Sequence, residues 1–193
     1  MSTSESNDDV NDPATDLTAA GPPTPPTSLE RFMRVAKPAA ERSAVSEASD
    51  SDKGVPRQPQ VKQHSLQLAT AAARVAIENN GAEVLVLDVC DQTALFDYFV
   101  IATGTSRRQL HAISEEIDDV LQKQLGDRRL GIEGYEDSRW IVLDYGSVVI
   151  HLFDEETRSY YDLESLWADA RAVPLADLGL SGSHGDASSH SDL

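Results

Sequence analysis

A chain of 193 residues with a formal net charge of -17 has room for one domain and long polar extensions, not for several cores. Over 63–171 there are 20 Asp and Glu against 9 Lys and Arg, a net of -11. Such a surface repels phosphate backbones and attracts a basic protein, so direct nucleic-acid binding is disfavoured. The single cysteine, Cys90, excludes an internal disulfide and any CxxC metal site. No apolar run approaches the roughly 20 residues needed to cross a bilayer, and the acidic N-terminus has no targeting character. The expectation is a soluble cytoplasmic protein.

Residues 1–61 are rich in Ser, Thr, Asp, Ala and Pro, including Gly-Pro-Pro-Thr-Pro-Pro at 21–26. Such a composition cannot offset the entropy of ordering, so a disordered tail is expected. Within it, Ser28–Ala36 has helical spacing, with Leu29, Phe32 and Met33 on one side, but a helix this short is marginal in water. A domain is expected over 62–171 and a second disordered tail over 172–193.

Leu66, Leu68, Ala69, Ala72, Ala73, Ala76 and Ile77 predict a helix from Ser65 to about Asn79, with Gly81 as its C-terminal cap. Glu83–Cys90 is a near-continuous apolar run, as in a strand covered on both faces. Asp97–Ala102 predicts a second strand. Thr103-Gly-Thr-Ser106 then precedes a helix over 107–125, with Ser106 or Thr105 as its N-cap, Ile113, Ile117, Val120 and Leu121 as its buried stripe, and Gly126 as its stop. Arg129–Gly134 is a connector or short strand.

Arg139–Phe153 reads as a β-hairpin. Trp140–Leu143 and Val148–Phe153 are the strands, and Asp144-Tyr145-Gly146-Ser147 is the turn. Both faces of the hairpin are apolar, so one packs on the domain and the other meets helices or another molecule. Glu155–Ala170 has helical spacing that breaks near Asp162. The order of elements predicts an α/β fold, a single domain with a mixed sheet of about five strands flanked by helices.

No catalytic constellation emerges. Thr103–Ser106 is the most enzyme-like stretch, since a helix N-terminus can hold an anion. Yet no Asp-x-Asp pair follows, the P-loop ending is missing, and a plain capped turn is the simpler reading. His111 and His151 lack zinc-site spacing. Cys90, ending an apolar strand with no basic neighbour in sequence, reads as a structural thiol. Neither a metal nor a cofactor is implied.

The hairpin and its flanks carry a resemblance. Asp97-Tyr-Phe-Val-Ile-Ala-Thr-Gly-Thr-Ser106, Glu133-Gly134, Trp140-Ile-Val-Leu-Asp-Tyr-Gly146, Val148–Phe153 and Arg158-Ser-Tyr-Tyr-Asp-Leu-Glu-Ser-Leu-Trp167 resemble, in this order, the ribosomal silencing factor (Iojap-like) family. The likeness covers roughly 63–170. Ser147 stands where the family usually has Asp, and Ala102 where it often has Cys. The resemblance implies a nucleotidyltransferase-like fold without the catalytic acids. It implies binding to the large ribosomal subunit through the basic L-fourteen protein, blocking of subunit joining, and repression of translation when nutrients are scarce. Organellar relatives act in ribosome assembly, and homodimers occur.

On this basis the contact site is expected on the hairpin. Trp140 and Phe153 would be the apolar anchors, and Asp144, Tyr145 and His151 the polar rim, with core packing as the competing explanation for the aromatics. A nucleotide-binding or nucleotidyl-transferring enzyme that uses Thr103–Ser106 is the alternative.

Overall fold

The computed structural model describes residues 25–27 and 59–180. The helical spacing noted at Ser28–Ala36 lies outside the described residues. Helix α1 runs Pro59–Glu78 and is followed by strands β1 (Ala82–Asp88) and β2 (Tyr98–Thr103). Helix α2 (Arg107–Leu125) leads to β3 (Gly131–Glu133), β4 (Trp140–Asp144) and β5 (Val148–Phe153). Two short helices follow, α3 (Glu155–Tyr161) and α4 (Leu163–Leu166), then β6 (Arg171–Ala172) and a 3-10 turn, Leu175–Leu178.

The six strands form one sheet in the order β3-β4-β5-β2-β1-β6. Every pairing is antiparallel except β2 with β5, which runs parallel from Tyr98↔Val148 to Thr103↔Phe153. The expected mixed sheet is therefore present, with six strands. The extra one, β6, is too short to show as a pattern in sequence.

Alternation along the strands divides the interior into two cores. Val100, Ala102, Ile141, Leu143, Ile150 and Leu152 point to the face covered by α1 and α2. Helix α1 buries Ala69, Ala72, Ala73 and Ala76, and these small side chains let its backbone lie close to the sheet. Phe99, Ile101, Trp140, Val142, Val149 and Phe153 point the other way, where Phe96, Leu163 and Trp167 meet them. The second apolar face of the hairpin thus meets α3, α4 and the 89–97 loop of its own chain.

Chain stops fall close to their sequence signals. Ser106 caps α2 by accepting from the Gln109 amide at 3.2 Å, and Gly126 ends it at φ 75°. At the end of α1 the left-handed residue is Asn80 (φ 57°), not Gly81. Gly81 is needed there for a different reason: a Cβ would stand 2.7 Å from the Ala76 carbonyl oxygen. The expected tail from 172 is also corrected. Residues 172–180 close the domain, with Val173, Leu175 and Leu178 packed on the first core and Leu180 buried in it. At the other boundary, α1 begins at Pro59, within the segment expected to be disordered.

Candidate functional site

The hairpin sits centrally in the sheet, and this settles the placement of its side chains. Trp140 is 2% exposed, Phe153 0% and His151 0%. None of the three is a surface anchor or rim residue within this chain, because α3 and α4 fold back over them. Trp140 and Phe153 pair at 4.6 Å between ring centroids, with Tyr161 of α3 tilted at 45° and 4.8 Å from Trp140. Trp140 Nε1 donates to His151 Nδ1 at 3.3 Å, and burial pushes the His151 pKa down to about 3, so the ring is neutral. Tyr145 is also buried. Its hydroxyl donates to Asp118, which pairs with Arg129, and burial raises the phenol to about 12. Only Asp144 of the five lies partly exposed, and its Oδ1 accepts from the Gly146 amide (2.7 Å) to fix the turn.

Two arginines hold the cover in place. Buried Arg139 donates from Nε to Asp154 (2.9 Å) and from Nη2 to Glu156 (2.6 Å), while Asp154 Oδ1 accepts from the Thr157 amide and caps α3. Arg158 reaches the Glu83 carbonyl, the Thr103 hydroxyl and Glu164. Asp162, at φ 41°, ends α3 and caps α4, which is the break read near that residue. The outer surface of this cover carries Tyr160, 65% exposed, beside the half-buried Tyr161 and Leu166. Glu155 and Glu156 of α3 and Asp169 beyond α4 are exposed on the same segment. Sequence reasoning passed over these tyrosines because their spacing matches ordinary helix packing.

The Thr103–Ser106 turn is engaged within the chain. Gln109 Oε1 accepts from the Thr105 amide (2.7 Å) and hydroxyl, while its Nε2 donates to the Asn79 and Asn80 carbonyls. At the opposite end of the sheet, Asp88 pairs with Lys62 (3.1 Å) and Arg171 (2.8 Å), and its carboxyl is held down to about 2 by these partners and Cys90 against the opposing effect of burial. Burial, then Asp88, push the Cys90 thiol up to about 11, so it is protonated at neutral pH, in keeping with a structural thiol. Among the described residues no group of three His, Cys, Asp or Glu is placed to hold a metal, and no helix is long and apolar enough to cross a membrane.

The family model described as "Ribosomal silencing factor during starvation" matches residues 62–192, more than half of the chain. This chain belongs to the ribosomal silencing factor family. Ribosomal silencing factor RsfS of Bacillus subtilis is 40% identical over 107 residues, covering 55% of this chain and 87% of that protein. The mouse protein named "Mitochondrial assembly of ribosomal large subunit protein 1" is 39% identical over 92 residues, 47% of this chain and 40% of its own length. An X-ray structure from Chromobacterium violaceum superposes with a TM-score of 0.50 at 31% identity, covering 63% of this chain and 95% of that one. The α/β fold expected from the element order is thus the fold of this solved relative. The matched region contains the whole of the covered hairpin, and the 61 residues before it lie outside the match.

Proposed function

We propose that this silencing factor binds the large ribosomal subunit through its basic L-fourteen protein, obstructs the small subunit, and so represses translation when nutrients are limiting. The observation that supports this reading is a ribosomal silencing factor domain carrying a net charge of -11 over 63–171. Obstruction needs affinity and bulk rather than bond-making, and an acidic surface is complementary to a basic ribosomal protein. The contact surface in this proposal lies on α3, where exposed Tyr160 and half-buried Tyr161 share a segment with Glu155, Glu156 and Asp169. Trp140 and Phe153 act from beneath by holding Tyr161 in place, and Asp144 lies at the far end of the ribbon.

Co-sedimentation with isolated large subunits, and its absence with joined ribosomes, is the expected result. In the same assay Tyr160→Ala should weaken binding by about 2 kcal/mol, roughly thirtyfold, with an unchanged circular dichroism spectrum. Full-strength binding by that variant would remove α3 from the contact. A role in large-subunit assembly is the second reading, favoured by the name of the mouse relative. It predicts immature large subunits on depletion, where repression predicts an excess of joined ribosomes.

A further inference from the structure

A groove of about 480 Å³ opens on the side of the domain away from α3, between α1, the end of α2 and the 3-10 turn. Leu66, Ala71, Leu125 and Leu178 give it an apolar floor, and each of them packs on the first core without being closed off from solvent. Arg74 and Asp177 add one cation and one anion to its walls.

The chain holds a segment of matching chemistry. Ser28–Lys37 places Leu29, Phe32 and Met33 on one helical side and brings Glu30 together with Arg31, Arg34 and Lys37. Its net charge is +2, and its Glu30 offers a partner for Arg74 as its arginines do for Asp177. Two residues upstream, Pro26 is buried while Pro25 and Thr27 are exposed. Residues 38–58 then tether it to α1, reaching up to roughly 70 Å when extended, and the groove begins one turn inside that helix. A short tether makes docking intramolecular, with an effective concentration on the order of millimolar.

We propose that Ser28–Lys37 docks in cis, as an amphipathic helix, into the groove between α1, the end of α2 and Leu175–Leu178. The family match begins at residue 62, so this arm is an addition to the matched domain, and its docking is independent of the reading given to α3. Docking orders the segment only when its apolar side is covered, which resolves the marginal stability of so short a helix.

The test uses the full chain. In a Cys90→Ser background, a nitroxide on Ser28→Cys should broaden amide resonances of α1 around Leu66–Arg74, the end of α2 and Leu175–Leu178, and leave α3 unaffected. Phe32→Asp with Met33→Asp should abolish that broadening and speed amide exchange along the outer side of α1 roughly tenfold. Broadening spread evenly over the domain would overturn the proposal. So would broadening that persists when spin-labelled unlabelled-nitrogen chains are mixed with isotope-labelled chains lacking the nitroxide, since that identifies a second copy as the occupant.

Discussion

His151 stands on β5 with its ring wholly enclosed, hydrogen-bonded to Trp140 and set edge-on to Phe99 at 5.3 Å. Its pKa falls from 6.5 to about 3 on burial, so between these values the unfolded chain takes up a proton at this position that the folded chain refuses. Stability is fully present above about pH 6.5 and should fall by roughly 1.4 kcal/mol for each pH unit below it. Asp88, held down to about 2 from 3.8, acts in the same direction at still lower pH, its contribution being present above 3.8 and lost toward 2. Urea unfolding from pH 7 to pH 4 should show this slope, and His151→Asn, which keeps an acceptor for Trp140 but does not titrate, should flatten it. Trp140→Ala leaves a cavity beneath α3 and should destabilise the fold by about 3–5 kcal/mol, measured by the urea midpoint. Its effect on ribosome binding should be no larger than the loss of ordered Tyr161 produces. Aromatic residues on a β-ribbon look the same in sequence whether they face a partner or an interior. That the hairpin was apolar on both sides was legible; that the chain's own α3 and α4 cover it was not.

At the scale of elements, the best-read segment is α2, whose bounds follow directly from Ser106 and Gly126 at its ends. The least legible is 171–180. There Leu175, Leu178 and Leu180 follow Pro174 and are separated by Ala176, Asp177 and Gly179, and the apolar density is too low to show helix or strand periodicity. Its order comes from docking: β6 pairs with β1, the Val173 amide donates to the Val86 carbonyl, and Leu180 enters the first core. The approach to β4 depends on one backbone conformation. Gly134 has φ 71°, and a Cβ there would overlap the Trp140 carbonyl oxygen. Gly134→Ala combines left-handed strain with this overlap and should destabilise by well over 1 kcal/mol, with β3–β4 amides losing exchange protection first. By contrast Gly126→Ala, at φ 75° with open space around it, should show the conformational penalty alone, about 1 kcal/mol.

Considered as a whole molecule, the domain presents a doubly covered sheet and a net charge of -11 over 63–171. Long-range attraction between such a surface and a basic protein acts on the approach of the partners more than on the final contact. Association with large subunits should slow as salt rises past physiological strength, where the screening length is about 8 Å. Glu155→Gln with Asp169→Asn should lower the association rate and leave dissociation nearly unchanged, as read by surface-immobilised kinetics.

The pairings of the sheet also bear on how the chain comes into being. Strand β2 must wait for β5, its parallel neighbour, and β1 must wait for Arg171 and Ala172 before its outer side is occupied. During synthesis the early strands therefore emerge with Phe99 and Ile101 uncovered; the aromatic layer closes only after the codon for Trp167 has been read, and the first core only after that for Leu180. Chains cut short by stalling before Leu180 therefore carry an open, sticky sheet instead of a folded silencing-factor domain.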